Sequence, residues 1–259
     1  YQGREVKLKT YMPFIILAIF WAISIHTVTA FLYSANTGRP FWHNALLAPR
    51  FIASAFCSGP ALAIIILQLV RKLVGYPVRQ SAIDTLGITM TVSLQITLFF
   101  IFAELFTDFY SEGAHAASAH YLFFGLHGAA KLTPWIWSAI ALLLIAVTIL
   151  MIHPLRRKPI LLNFACVLTV IGVWIEKGMG LVIPGYIPTP LGEIFEYLPN
   201  STEVMISLGI WAIGLLTFTL LAKAGMAIER GQVGLRDDIE EQLAGLTNEE
   251  GSESLKTPG

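Results

Sequence analysis

The chain has 259 residues, of which 55% are hydrophobic and only 13% are charged, and its mean hydropathy is +0.67. These values are typical of a polytopic membrane protein and argue against a soluble domain. The 17 basic residues balance the 17 acidic ones, which gives no support for a nucleic-acid partner. Cys57 and Cys166 have no metal-ligand spacing, so neither a metal site nor a disulfide framework is indicated.

Six segments are long and apolar enough to cross a bilayer, which takes about 20 predominantly apolar residues. We predict an all-α bundle of six transmembrane helices, at residues 12–33, 51–70, 85–109, 135–152, 161–182 and 204–224. The bundle is expected to occupy residues 1–226, followed by a partly disordered cytoplasmic tail at 227–259. The chain starts at Tyr1 without an initiator methionine, and we expect an N-terminal part to be missing.

Most of the basic residues fall on one side of the membrane. Thirteen of the 17 lie before the first segment, after the second or fourth, or at and after the end of the sixth: Arg4, Lys7, Lys9, Arg71, Lys72, Arg79, Arg156, Arg157, Lys158, Lys223, Arg230, Arg236 and Lys256. By the positive-inside rule, that side is cytoplasmic, so both ends of this chain are predicted to be cytoplasmic.

The third segment carries two acidic residues inside a membrane helix. At about 100° per residue, Glu104 and Asp108 share a stripe with Thr89, Ser93 and Thr97. Inserting a carboxylate at the bilayer centre costs roughly 2.5 to 3.5 kcal/mol of free energy. We therefore interpret such a residue as a candidate for a functional role. The alternative, which applies above all to Asp108, is a carboxylate at a helix end that touches water. The hydroxyl groups of Thr89, Ser93 and Thr97, which precede Glu104 on the same stripe, form a candidate proton path.

Four more polar residues are predicted at the same depth, toward the outer face. Arg50 and Glu176 lie on stripes of small residues, which let membrane helices pack closely, so both are expected to face the interior. Lys177 projects about 100° from Glu176 and is expected to snorkel to the outer interface. His26 is isolated, as packing histidines often are, although a neutral imidazole also suits proton exchange near neutral pH.

Three stretches of sequence carry a family resemblance. The first joins SIHTVTAF at 24–31 to RPFWH at 39–43 and APRFIASA at 48–55. The second joins AEL at 103–105 to DFYSE at 108–112, and the third is WIEK at 174–177. They resemble the NrfD/PsrC family of polysulfide-reductase-type membrane subunits. The run PTPLGEIFEYLP at 188–199 is similar to family members that act in sulfur metabolism.

The resemblance implies a subunit in the cytoplasmic membrane of a prokaryote that is not catalytic alone. It would bind an exchangeable quinone, menaquinone or ubiquinone, and hold no haem, flavin or metal itself. A ferredoxin-like iron–sulfur subunit is implied on the outer face, beside a cytochrome or catalytic subunit. His26, Glu104 and Asp108 would be the proton acceptors for quinol, and Arg50 and Glu176 would complete the pocket. Family members commonly have more than six membrane helices, which agrees with a missing N-terminal part.

Two other classes of membrane protein remain open. A secondary transporter or an ion-conducting protein with no redox role also places paired charges in the membrane, usually near the midplane and with an internal repeat. A dihaem cytochrome needs pairs of histidines on facing helices. Only His26 is securely inside a predicted helix, which argues against the cytochrome.

Overall fold

The computed structural model describes residues 8–110, 113 and 116–229, and within these ranges the chain is folded into α-helices joined by short turns. The α-helices are α1 (Leu8–Ser34), α2 (Leu47–Val74), α3 (Gln80–Tyr110), α4 (Ala116–Phe123), α5 (Thr133–Met151), α6 (His153–Arg156), α7 (Pro159–Lys177) and α8 (Ser201–Glu229). A π-helical segment, Gly178–Val182, continues α7, and 3-10 turns lie at Pro40–Trp42 and Pro184–Tyr186. The predicted tail begins inside α8, and its residues from 230 onward lie outside the described ranges.

Six of the described helical segments are long and apolar enough to cross a membrane. They are Lys9–Ser34, Leu47–Val74, Gln80–Tyr110, Thr133–Met151, Pro159–Tyr186 and Ser201–Ile228. These segments coincide with the six predicted ones and confirm the all-α, polytopic fold class. Most extend beyond the predicted bounds because polar residues at the interface remain helical although they fall outside an apolar window.

Residues 18–198 form one compact unit whose centre is a bundle of α2, α3, α5 and α7. In this bundle α5 packs on α7, and α2 packs on both α3 and α7. The core is aliphatic, with Ile64, Met90, Leu94, Leu143 and Leu150 fully buried. The remaining described residues, 8–17 and 199–229, belong to a second unit that contains α8.

Glycines on α7 and on the π-helical segment that continues it allow close approach to α5. A Cβ atom added at Gly172 would lie 2.8 Å from Leu143 Cδ2, and one added at Gly180 would lie 2.8 Å from Ile136 Cδ1. Such contacts are too short for a real side chain, so a larger residue at either position would force Leu143 or Ile136 to shift. As predicted, the small-residue stripe of α7 faces the interior, and it carries Glu176 there with no exposed surface.

At one end of the bundle the connecting segments are joined into a layer that we call the cap, comprising residues 35–46, 116–132 and 183–198. Trp42 Nε1 donates to the Leu181 carbonyl at 2.8 Å, and Arg39 Nη1 donates to the Tyr186 carbonyl at 3.2 Å. Ser118 Oγ donates to the Ile187 carbonyl at 2.6 Å. These bonds fix three loops that are far apart in sequence over the same ends of α2, α3, α5 and α7.

Candidate functional site

Arg50 is the centre of a buried ionic cluster beneath the cap. Its Nη1 contacts Glu104 Oε2, and its Nη2 donates to Glu176 Oε1. The exposed fractions of the side chains are 6% for Arg50, 7% for Glu104 and 1% for Glu176. Helices α2, α3 and α7 therefore each supply one charge. Buried charges persist only when they are paired and hydrogen-bonded, and here one guanidinium serves two carboxylates.

Lys177 belongs to the same cluster, and the prediction that it snorkels to the outer interface is wrong. Its Nζ is buried, lies 3.4 Å from Glu176 Oε2, and sits 4.5 Å from the centroid of the Phe51 ring. The ammonium thus finds a carboxylate and an aromatic face within reach, which replaces the water that snorkelling would supply. With Lys177 included, the cluster contains two basic and two acidic groups.

One buried polar atom of the cluster has neither a hydrogen bond nor an ion-pair contact among the described residues. This atom is Arg50 Nε, which is buried. Buried donors in proteins are nearly always satisfied, so an unpaired one inside an ionic cluster is suited to a water or to the oxygen of a bound molecule.

Polar residues of α3 continue from the cluster into the bundle. Ser93, Thr97, Glu104 and Asp108 of the predicted stripe are buried, whereas Thr89 at its other end is only half-buried. Thr97 Oγ1 donates to the Ser93 carbonyl at 2.8 Å and lies 3.9 Å from Cys57 Sγ. The hydroxyl thus bonds back to its own helix, as such residues commonly do in membrane helices.

The structure brings together some of the predicted site residues and separates others. Arg50, Glu104 and Glu176 are in direct contact, and Asp108 is buried one turn beyond Glu104, in the last turn of α3. His26 is half-buried on α1, where its Nδ1 lies 2.9 Å from the Ala22 carbonyl of the same helix. Within the described residues, no hydrogen bond or ion pair joins His26 to the cluster.

An apolar groove of about 420 Å³ opens between α1, α2 and α3. Thr27 lines it from α1, Pro49 and Ala53 line it from α2, and Ser93 and Ile96 line it from α3. Pro49 precedes Arg50 in the chain, and Ala53 lies one turn beyond it. The groove has the size and the mostly apolar walls of a small-molecule site, with a few hydroxyls among them.

Glu196 fastens the last part of the cap to the turn before α5. Its Oε1 accepts hydrogen bonds from the backbone N–H groups of Ala130, at 2.9 Å, and of Lys131, at 3.0 Å. Its Oε2 pairs with Lys131 Nζ at 3.1 Å. The N–H of Lys131, together with the Lys131 ammonium, holds the pKa of Glu196 below its ordinary value of 4.5.

Acidification should therefore release this part of the cap. A carboxylate with a lowered pKa stabilises the folded form fully above its ordinary value of 4.5, and that contribution is lost as the pH falls through the lower folded value. We expect hydrogen-exchange protection of the Ala130 and Lys131 amides, corrected for intrinsic rates, to fall in that acidic range. Glu196→Gln should have weaker protection at neutral pH and no such transition. Identical profiles for the two proteins would contradict this role of Glu196.

The helices and the site together define the class of protein. Six membrane-spanning helices, an ionic cluster buried at one end and an apolar groove between three helices describe a polytopic membrane protein with an internal site. The chain belongs to the NrfD family, since the family model described as "Polysulphide reductase, NrfD" matches residues 4–189. This confirms the resemblance found in the sequence.

Several curated relatives match most of the chain. A protein of Halobacterium salinarum, named as a putative membrane subunit of a dimethyl sulfoxide reductase, is 25% identical, covering 75% of this chain and 48% of its own length. The Hdr-like menaquinol oxidoreductase integral membrane subunit of Archaeoglobus fulgidus is 26% identical, with coverages of 80% and 55%. A selenate reductase subunit of Mesobacillus selenatarsenatis is 25% identical, with coverages of 77% and 47%. The chain thus spans about half the length of these relatives.

Proposed function

We propose that this chain is the quinone-interacting membrane subunit of a multi-subunit oxidoreductase. In this role it exchanges electrons between the quinone pool and an iron–sulfur subunit that docks on the capped, outer face. The observation that carries the proposal is the apolar groove on α2 next to the buried Arg50 cluster. Family membership supports it, as does the name of the Archaeoglobus fulgidus relative, a menaquinol oxidoreductase subunit. The PTPLGEIFEYLP run favours a complex of sulfur metabolism.

The chemistry of quinol oxidation matches the residues in and around the groove. Removing two electrons from a quinol releases two protons, so each hydroxyl needs an acceptor within hydrogen-bond reach. We assign Glu104, Asp108 and His26 as these acceptors, and Arg50 and Glu176 as the groups that set the charge around them. The apolar walls of the groove accommodate the ring and the start of an isoprenoid tail. The electrons pass directly to the partner subunit.

Proton translocation is the finer part of the proposal. Ser93 and Thr97 follow Glu104 along the buried face of α3, toward the opposite side of the membrane. The Thr97 hydroxyl keeps acceptor lone pairs after donating to the Ser93 carbonyl, so a water beside it could receive and pass on a proton. Movement of protons along this face would make quinol turnover electrogenic.

Filling the groove tests whether it binds quinone. Ile96 lines the groove from α3, and 42% of its side chain is exposed, so Ile96→Trp adds volume there with little disturbance of the core. In the purified complex, we expect a short-tailed quinone analogue to bind about tenfold more weakly, a loss of about 1.4 kcal/mol. The dissociation constant can be measured by isothermal titration calorimetry.

Val92→Trp is the matched control for this experiment. Val92 lies one turn earlier on α3, is 51% exposed and does not line the groove, so the analogue should bind as it does to the unaltered complex. Unchanged binding to Ile96→Trp, or an equal loss in both variants, would refute the groove as the quinone site. Uptake of ions or solutes by liposomes that contain only this chain, without quinone or redox partner, would instead identify a transporter.

A further inference from the structure

A second, smaller pocket lies at the end of the bundle opposite the Arg50 cluster. Its volume is about 90 Å³, and it forms where α3 begins, α6 follows α5, and α7 begins. The charged or titratable residues that line it are Asp84, His153, Arg156 and Arg157. None of these residues takes part in the proposed quinone chemistry.

Arg156 is held in this pocket by its neighbours. A Cβ atom added at Gly87 would lie 3.7 Å from Arg156 Cδ, an ordinary van der Waals distance, so the arginine stem runs alongside α3 at this point. Arg156 Nη1 donates to the Leu150 carbonyl at 3.1 Å. One of the five guanidinium N–H donors is thereby fixed, and the plane of the group is oriented for a further acceptor.

The pocket has an excess of positive charge. Asp84 Oδ1 accepts a hydrogen bond from Gln80 Nε2 at 3.2 Å. Among the residues that the structure describes, no ion pair joins Asp84 to Arg156 or Arg157. The two positive charges of Arg156 and Arg157 therefore exceed the single negative charge of Asp84, which is paired with neither arginine. Further basic residues lie at the same end of the bundle, in the last turn of α2, just before α3 and just before α7: Arg71, Lys72, Arg79 and Lys158.

The size and position of the pocket indicate which class of ligand it can bind. At roughly 30 Å³ per water, 90 Å³ holds about three waters, which is room for one tetrahedral oxyanion but not for a nucleotide. Guanidinium groups match the oxygens of phosphate geometrically and bind them in pairs. The pocket also lies at the ends of three membrane-spanning helices, at the depth where lipid headgroups meet the protein.

We propose that this pocket is a phosphate site, filled by the headgroup phosphate of an anionic lipid in the adjacent leaflet or by free phosphate from solution. Arg156 and Arg157 bind the phosphate oxygens, and Gly87 lines the pocket on the side of α3. A bound phosphate links α6 to the first turns of α3 and α7 and so tightens the end of the bundle away from the quinone groove. The site is independent of the quinone proposal, since neither ligand requires the other.

The test compares two neighbouring charge deletions in the purified complex. Arg157→Gln removes a charge that lines the pocket, whereas Lys158→Gln removes the same charge from the next position, which is also exposed but lies outside the lining. After reconstitution in nanodiscs of phosphatidylcholine and phosphatidylglycerol and extensive detergent washing, retained phosphatidylglycerol is counted by mass spectrometry. We expect about tenfold less retention in Arg157→Gln and unchanged retention in Lys158→Gln.

A second variant and a second ligand complete the experiment. Gly87→Leu fills the pocket without changing charge and should lose retention as Arg157→Gln does. Inorganic phosphate added to phosphatidylcholine nanodiscs distinguishes the source: if it raises the melting temperature of the unaltered protein but not of Arg157→Gln, the site also takes the free anion. Full phosphatidylglycerol retention by Arg157→Gln without phosphate stabilisation, or equal losses in Arg157→Gln and Lys158→Gln, overturns the proposal.

Discussion

Replacing Arg50 with glutamine should lower the free energy of unfolding by about 3–5 kcal/mol, the usual result of removing one partner from a buried ionic group. The variant leaves Glu104 and Glu176 buried against Lys177 alone, so one negative charge has no counterpart. The loss can be measured by titrating the purified chain in mixed micelles with a denaturing detergent. Since the cluster joins α2 to α3 and α7, we expect the whole unfolding transition to shift to a lower fraction of denaturing detergent.

Two further variants show whether charge balance is the cause. Arg79→Gln removes an exposed arginine and should change stability by no more than about 0.5 kcal/mol. The double variant Arg50→Gln with Glu104→Gln leaves Glu176 and Lys177 as a balanced pair, and it should be more stable than Arg50→Gln alone. If Arg50→Gln unfolds at the same detergent fraction as the unaltered chain, the cluster is not held by ionic attraction.

Glu104→Gln should reduce quinol oxidation by the purified complex about 100- to 10,000-fold, the range that positioned proton acceptors contribute. Glutamine keeps the shape of the side chain and an oxygen for Arg50, but it cannot take up a proton from a quinol hydroxyl. The steady-state rate with saturating quinol and an artificial electron acceptor measures the effect. Undiminished rates would remove Glu104 from the proposed chemistry.

Glu176→Gln is the control that separates proton transfer from ion pairing. Glu176 shares Arg50 with Glu104, so either substitution takes one negative charge from the same guanidinium. If Glu104 accepts the proton and Glu176 only sets the charge, Glu104→Gln should lose much more activity than Glu176→Gln. Equal losses would mean that both carboxylates act only by holding Arg50.

The sequence predicted which helix faces carry the site, but not how those faces meet. Periodicity on α2, α3 and α7 placed Arg50, Glu104 and Glu176 toward the interior, and the structure confirms this. Their pairing depends on how the helices slide and rotate against each other, which no single-helix pattern contains. The same limitation explains Lys177, whose neighbour Phe51 comes from a different helix.

The groove, the cap and the smaller pocket were still harder to foresee. The apolar groove depends on the spacing between α1, α2 and α3, and that spacing cannot be deduced from the sequence of any one helix. The role of Glu196 depends on two backbone N–H groups, which every residue except proline possesses. Arg156 and Arg157 were visible only as part of a basic loop that orients the chain, and Gly87 gave no sign that it lies beside Arg156.

The sharing of Arg50 between two carboxylates links the charges of three helices. Because one guanidinium contacts Glu104 on α3 and Glu176 on α7, a movement of α2 relative to either neighbour alters both ion pairs at once. The charge around Glu104 therefore depends on the position of α7 as well as on that of α2.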